Sequence, residues 1–119
     1  MTAISPAKIK VEKITQLAAA VHNLDRGVEN YWMILGLGPT NIFHWDYPIV
    51  WARTYHGKPS WSREKICHIQ FKNVEFELME AVDGPSLYRD FIEEHGEGLH
   101  HIQCLVPDLD EANRILIGE

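Results

Sequence analysis

The chain has 119 residues, enough for one domain with a hydrophobic core of its own. Its formal net charge of -6 argues against a nucleic-acid or anionic-membrane surface, because such surfaces need a basic patch. No apolar run approaches the ~20 residues of a membrane span, and residues 1–13 lack the apolar segment of a signal peptide. The two cysteines, Cys67 and Cys104, are too few for a disulfide framework, so we expect a cytoplasmic protein.

A strand and a helix are predicted first. Residues 1–13 indicate an N-terminal arm, and Ile14–Val21 alternates as a strand that places Gln16 on the same face as small alanines. The helix that follows has Asn23 or Asp25 as its N-cap and ends at Gly36–Pro39. Its apolar residues recur at the spacing of one helix face. They are Val28, Tyr31, Trp32 and Leu35.

The middle of the chain predicts strands. Thr40–Trp45 is expected to be a strand, whereas Tyr47–Tyr55 carries Pro48 and is expected to be an edge strand or a loop over the site. Residues 56–60 have the composition of a turn.

Two strands joined by only two residues predict a tight hairpin after this turn. They are Lys65–Phe71 and Val74–Glu80. A two-residue turn places His68 opposite Glu77. Val74, Phe76 and Leu78 would then form one face of the second strand, while Glu75, Glu77 and Met79 share the other.

A linker helix and a further strand–helix pair complete the prediction. Ser86 is expected to cap a helix over Leu87–His95 that ends at Gly96. Its inward-facing residues would be Leu87, Phe91 and Ile92. A strand over Leu99–Val106 and a helix that begins near Asp108 follow.

The end of the chain repeats its beginning. Residues 101–110 align without gaps with residues 16–25, and both segments lead from an apolar strand through an Asn or Asp cap into a helix. The repeat predicts one complete module and the opening of a second. We therefore divide the chain into an N-terminal arm (1–13), a first βαβββ module (14–82), a linker helix (83–98) and the incomplete start of a second module (99–119).

Three residues stand out as candidate metal ligands. Gln16 and His101 occupy equivalent positions of the two repeats, and Glu77 is a carboxylate in the middle of an apolar strand. Amide and carboxylate oxygens with an imidazole nitrogen are a plausible ligand set for a divalent cation. The alternatives are a solvated carboxylate on the outer face for Glu77 and structural roles for Gln16 and His101.

Other histidines and the aromatic residues have two interpretations each. His68, opposite Glu77, is either a general base or partner of that carboxylate, or a partly exposed strand histidine. Strict alternation would point His100 away from His101, so we expect His100 to have a packing or surface role. The aromatic residues of the middle segment are expected in the core or an interface, although they could line a pocket. They are Trp45, Tyr47, Trp51, Tyr55 and Trp61.

Three segments resemble the vicinal oxygen chelate superfamily, which includes glyoxalase I, methylmalonyl-CoA epimerase, extradiol dioxygenases and bleomycin-resistance proteins. Residues 16–36 resemble its opening pattern, (H/Q)-x-x-x-x-V-x-(D/N)-L-(D/E) followed by Y-x-x-x-L-G. Phe76–Glu80 resembles its V/I-E-L-L/M-E strand, and Gly96–Ile102 resembles the G-E-G-L-H-H-I of epimerase-type members. The resemblance covers residues 14–117 and implies an α+β fold built from βαβββ modules.

The resemblance implies a metal-dependent enzyme. The positions that match the family ligands are Gln16, Glu77 and His101. The family's fourth ligand comes from a late strand of the second module, so we expect that the chain is a fragment, that another subunit completes the site, or that water fills the position.

The implied cofactor is a divalent metal (Co, Ni, Zn, Mn or Fe), for which Glu77 would be a ligand and possibly the catalytic base. His68 is the other candidate catalytic residue, because of its position opposite Glu77. A homodimer is expected because a lone module leaves its concave sheet open. The epimerase-like motif favours proton transfer beside a thioester carbonyl of an acyl-CoA. A glyoxalase I-type reaction on a glutathione adduct and a metal-free ligand-binding protein are the alternatives.

Overall fold

The computed structural model describes residues 7–45 and 54–118. The strands in these ranges are β1 (Lys13–Ala20), β2 (Phe43–Trp45), β3 (Thr54–Tyr55), β4 (Lys58–Pro59), β5 (Arg63–Phe71), β6 (Val74–Asp83) and β7 (Gly98–Leu105). The helices are α1 (Leu24–Leu35), α2 (Leu87–His95) and α3 (Leu109–Ile117).

Five of the strands form one mixed sheet in the order β2-β5-β6-β1-β7. β1 runs parallel to β6, and the other three neighbouring pairs are antiparallel. Parallel neighbours need a long connection between them. Here α1 and the strands β2 to β5 lie between β1 and β6 in the chain, so β6 can enter the sheet in the same direction as β1. This arrangement confirms the predicted α+β fold and its βαβββ module. The assignment of residues 99–119 to a second module stays a prediction.

The hairpin between β5 and β6 has the predicted register. His68 pairs with Glu77, and Phe71 pairs with Val74 across the Lys72-Asn73 turn. Lys72 adopts a φ of 53°, which supplies the left-handed conformation that such a tight turn requires. Both strands are longer than predicted, and the turn at residues 56–60 lies in a small additional hairpin of β3 and β4.

Helix α1 covers one face of the sheet. Leu24 from α1 packs with Cys67 and Ile69 of β5 and Leu78 of β6 in a buried core, against which Val28 and Tyr31 also pack. The rest of the predicted helix stripe is wrong, because Trp32 and Leu35 are exposed. They sit in the last turn of α1, just before the chain leaves the helix at Gly36.

Helix α2 begins and ends where the sequence predicts. The Ser86 side chain accepts hydrogen bonds from the main-chain N–H groups of Tyr88 and Arg89, and Gly96 follows the last helical residue. Phe91 and Ile92 are half-buried as expected, but Leu87 is 57% exposed. The prediction for Leu87 is therefore wrong. Leu87 is the first residue of α2, and the first turn instead turns Tyr88 toward β7.

The two repeat segments have similar local geometry. Asn23 and Asp108 cap α1 and α3 with nearly the same dihedral angles, φ -138° and ψ 110° against φ -142° and ψ 106°. β1 and β7 lie side by side and antiparallel at one end of the sheet. Among the described residues, no helix is long and apolar enough to cross a membrane.

Candidate metal centre

Glu77 lies at the centre of the candidate site and is buried, with 5% of its surface exposed. Its interpretation as a solvated outer-face carboxylate is therefore wrong. Glu77 occupies a row of residues that crosses four neighbouring strands, His68 on β5, Glu77 on β6, Ala18 on β1 and His101 on β7. Because Ala18 has only a methyl side chain, a gap separates the Glu77 carboxylate from the His101 imidazole.

One carboxylate oxygen of Glu77 is fully engaged. Oε2 lies 2.6 Å from His68 Nε2 and 3.3 Å from Gln16 Nε2. The same Gln16 amide donates to Glu75 Oε1 at 2.7 Å, since Gln16 pairs with Glu75 across β1 and β6. His101 Nε2 lies 3.9 Å from the other oxygen, Oε1. All four predicted site residues, Gln16, His68, Glu77 and His101, therefore form one cluster.

Three polar atoms in this cluster have no hydrogen-bond partner among the described residues. They are Glu77 Oε1, Gln16 Oε1 and His101 Nε2. Glu77 and Gln16 are both buried, and an unsatisfied buried acceptor is costly, so the set fits a cation. Tetrahedral ligands with bonds of about 2.1 Å lie about 3.4 Å apart, so the 3.9 Å between Glu77 Oε1 and His101 Nε2 would shorten by about half an ångström when both bind one ion.

The set depends on Gln16. Within the described ranges, no three His, Cys, Asp or Glu side chains are placed to hold an ion on their own. The amide oxygen is a ligand type that suits harder divalent cations, and the carboxylate and imidazole extend the choice to Mn, Fe, Co, Ni and Zn. The residues present therefore fit a divalent metal, for which Gln16 would be the third ligand.

His68 is partly exposed to solvent and also contacts Glu77. About a third of its side chain is exposed, and its ring packs edge-on against Phe43 of β2 with 5.3 Å between centroids. Because Nε2 faces the carboxylate, Nδ1 is the nitrogen left for other chemistry. This is the geometry of a base held by a carboxylate.

The predicted orientation of His100 is wrong. Ala18 pairs with His101 but Ala19 pairs with Leu99, so His100 is an extra residue in β7, a β-bulge. The bulge brings both imidazoles together, with 2.9 Å between their Nδ1 atoms. Burial and the neighbouring His101 ring lower the pKa of His100.

Glu75 also belongs to this cluster and was not among the predicted site residues. It holds the Gln16 amide and lies 4.0 Å from His68 Nε2. The signal was its position two residues before Glu77 in an alternating strand, which places both carboxylates on one face.

An aromatic cleft of about 230 Å³ lies near the start of β5 and the end of β6. Its lining includes Trp45, Tyr55, Trp61 and Tyr88, and buried Glu64 accepts a hydrogen bond from Ser62 at 2.7 Å. The Tyr55 hydroxyl donates to Asp90, and this bond raises the pKa of Tyr55. Three of the five predicted aromatic residues thus line a cleft rather than the core. The other two, Tyr47 and Trp51, lie outside the described residues.

Solved structures share this fold. Methylmalonyl-CoA epimerase from Mycobacterium tuberculosis superposes with a TM-score of 0.58 at 23% sequence identity, over 96% of this chain and 68% of its own. A point variant of Streptomyces coelicolor methylmalonyl-CoA epimerase in complex with 2-nitronate-propionyl-CoA gives a TM-score of 0.58 at 20% identity, over 91% of this chain and 71% of its own. A mutant of 4-hydroxymandelate synthase from Streptomyces coelicolor gives 0.65 at 14% identity, over 92% and 30%. At these identities the likeness shows the fold alone, and the chain spans about two thirds of the length of the epimerases.

Sequence comparison assigns the family. No curated protein matches the chain significantly. A family model described as the Glyoxalase/Bleomycin resistance protein/Dioxygenase superfamily matches residues 15–116, from β1 into α3. The match includes the Glu77 cluster and confirms the resemblance found in the three sequence segments. The chain therefore belongs to the glyoxalase/bleomycin resistance protein/dioxygenase superfamily.

Proposed function

We propose that this chain is a divalent-metal-dependent isomerase or epimerase that stabilises an enolate next to a thioester carbonyl. The observation that carries the proposal is the buried Glu77 carboxylate. It holds His68 with one oxygen and leaves the other, together with Gln16 Oε1 and His101 Nε2, without a hydrogen-bond partner among the described residues. A base and a set of metal ligands thus share one carboxylate.

Gln16, Glu77 and His101 would hold the metal, with Co, Ni, Zn, Mn and Fe as candidates. When bound, the cation would supply Lewis-acid stabilisation of the negative oxygen that develops on the substrate. Gln16 presents its amide nitrogen to Glu75 and Glu77, so it already exposes the oxygen end for ligation.

His68 and Glu77 would move the proton. His68 Nδ1 would take the proton from the carbon next to the carbonyl, and Glu77 would stabilise the imidazolium through the contact at Nε2. Glu77 is thus both a ligand and the partner of the base. About a third of the His68 side chain is exposed, which would give a substrate access to this nitrogen.

The substrate class follows the proteins that share the fold. One of them is named as methylmalonyl-CoA epimerase in complex with methylmalonyl-CoA and NH4+. We propose an acyl-CoA thioester, with a glutathione hemithioacetal as the glyoxalase I-type alternative. Gln16, Glu77 and His101 would supply three ligands, and we propose that water or a homodimer partner supplies the fourth.

The proposal is tested in two steps with the purified protein. Metal content is measured by mass spectrometry after loading with each of the five metals, and the loaded protein is then incubated with a 2-methylmalonyl thioester in deuterated buffer. We expect one metal per chain and exchange of the α-proton, seen as a mass increase. Glu77→Ala should lose both, whereas His68→Gln should keep the metal and slow exchange by about 100-fold or more.

His44→Gln is the matched control, because His44 is an exposed histidine on β2. It should leave both readouts unchanged. Exchange by metal-free protein, or equal exchange by Glu77→Ala, would contradict the proposal. Loss of hemithioacetal absorbance without thioester exchange would instead select the glyoxalase-type reaction.

A metal-free binding protein is the second candidate, and the aromatic cleft is the observation that favours it. Four aromatic residues of the cleft offer flat surfaces for a planar ligand. They are Trp45, Tyr55, Trp61 and Tyr88. In this case ligand binding that quenches tryptophan fluorescence would survive Glu77→Ala and would not need metal.

A further inference from the structure

We propose that Glu75 is a positioning residue that fixes the side-chain amide of Gln16, so that the Gln16 oxygen is the end left for a cation. The inference rests on the proposed function, in which Gln16 is a metal ligand through this oxygen. The two ends of an amide have similar shapes but opposite roles, because the oxygen accepts or ligates and the NH₂ group donates. The group that holds the nitrogen end therefore decides whether Gln16 can bind a cation.

The chemistry of the neighbouring side chains determines which end of the amide faces them. One terminal atom of Gln16 lies 2.7 Å from Glu75 Oε1 and 3.3 Å from Glu77 Oε2. Carboxylates accept hydrogen bonds and do not donate them, so an atom that contacts two carboxylate oxygens has to be the donating nitrogen. The reverse orientation would place the amide oxygen against two further acceptors. Glu75 and Glu77 thus select one of the two amide orientations.

Glu75 is the principal partner of the amide. Its bond to Gln16 is the shorter of the two, whereas Glu77 Oε2 also lies 2.6 Å from His68 Nε2. His68 Nε2 is 4.0 Å from Glu75 Oε1, which is too long for a hydrogen bond. Glu77 therefore holds mainly His68, and Glu75 holds Gln16.

The sheet keeps Glu75 available for this contact. Gln16 and Glu75 are paired residues of the parallel strands β1 and β6, so their side chains extend side by side from one face. On its other side, Glu75 pairs with Gln70 of β5. The Gln70 side chain donates instead to the main-chain oxygens of Lys72 and Val74 at the hairpin turn. Gln70 therefore does not compete with Gln16 for the carboxylate.

The contact can be tested without metal, by NMR of the metal-free protein with ¹⁵N-labelled glutamine side chains. The Gln16 signal is assigned by its absence in Gln16→Ala. We expect one Gln16 amide proton to be shifted downfield and to exchange slowly with solvent, because it donates to a carboxylate from a buried side chain. Glu75→Leu removes the acceptor and should abolish both features. A wild-type signal without them, or one unchanged in Glu75→Leu, would overturn the proposal.

Two substitutions of Glu75 separate orientation from charge. Glu75→Leu removes the charge and the acceptor, whereas Glu75→Gln removes the charge but keeps an oxygen that can accept from Gln16. Cobalt titration by calorimetry should show an affinity lower by about 10- to 100-fold in Glu75→Leu, with most of it restored in Glu75→Gln. Glu29→Leu removes an exposed carboxylate on α1 and is the matched control, which should bind cobalt as the wild type does.

Two results of this titration would contradict the positioning role. Equal losses in Glu75→Leu and Glu75→Gln would mean that Glu75 acts through its charge alone. An unchanged affinity in Glu75→Leu would mean that it does not act on the metal site.

The two proposals fail in different ways. If the wild-type protein binds no metal, the proposed function is wrong, but the amide spectrum still decides whether Glu75 holds Gln16. If metal binds and the Gln16 signal does not depend on Glu75, only the role of Glu75 is wrong. If Glu75→Leu does not fold, Glu75→Gln provides the decision, because a neutral acceptor should reduce the downfield shift and an unchanged shift would contradict the contact.

Discussion

Cys67 shows how burial changes the chemistry of a single residue. Its side chain is fully buried in the core under α1, beside Leu24 and Leu78. Loss of solvent raises the pKa of the Cys67 thiol, and the nearby Glu77 carboxylate acts in the same direction. Cys67 therefore behaves as an apolar core residue, whereas Cys104 on β7 is half-buried.

We expect the two thiols to react at different rates with an aromatic disulfide reagent at pH 8. Cys104 should react first, because thiolate is the reactive form and the raised pKa of Cys67 keeps that thiol protonated. The reaction of Cys67 should accelerate as the pH rises. The measurement is the stoichiometry of released chromophore over time, with Cys104→Ser as the control that removes the fast phase. Two equally fast thiols in the native protein would contradict this prediction.

At the scale of elements, the linker helix α2 packs against the histidine pair of the candidate metal centre. Ser86, which is buried, caps its first turn, and Tyr88 in that turn packs against His100. In the chain, α2 lies directly between β6 and β7. The helix therefore packs beside the histidine pair at the start of β7. The cap therefore stabilises an element on which the geometry of the site depends.

Ser86→Ala should lower the free energy of unfolding by about 1 kcal/mol, because two main-chain N–H groups at the start of α2 lose their acceptor. For a domain of this size that corresponds to a fall of about 4 °C in Tm. Thermal unfolding followed by circular dichroism measures it, and Asn113→Ala on the exposed side of α3 is the control. A Tm unchanged in Ser86→Ala would show that the cap does not contribute to stability.

At the scale of the whole molecule, β7 is an edge of the main sheet. Among the described strands it pairs only with β1, and it carries the exposed side chains of Leu99, Ile102 and Leu105. Unpaired main-chain groups beside apolar side chains favour strand pairing with another chain. This edge is the place where we expect the predicted homodimer to form.

Light scattering during gel filtration should therefore give twice the mass of the chain. Ile102→Lys should shift the protein toward the monomer, because a charged side chain on an edge strand opposes pairing. Phe71→Lys, at the hairpin between β5 and β6, is the control and should leave the dimer intact. A wild-type monomer at high concentration would exclude a homodimer formed through β7.

Local patterns in the sequence account for most of the fold and for the membership of the candidate site. The caps at Asn23, Ser86 and Asp108 begin helices where predicted, because a cap depends on residues within one turn. The two-residue turn set the pairing of His68 with Glu77 for the same reason, since loop length determines hairpin register. The ligand set Gln16, Glu77 and His101 was suggested by the repeat and by the family resemblance. It stays a prediction, although the structure brings these residues together.

Only the tertiary structure decided the features that depend on pairing between strands far apart in the sequence. The β-bulge at His100 arises from the register between β1 and β7, so strict alternation along β7 predicted the wrong direction for this side chain. Glu75 reaches Gln16 because β1 lies parallel to β6, an arrangement that no local pattern contains. The exposure of Trp32 and Leu87 likewise depends on which surface lies opposite each helix end. The sequence by itself thus determined the elements and their caps, while packing between strands far apart in the chain decided how the candidate site is oriented.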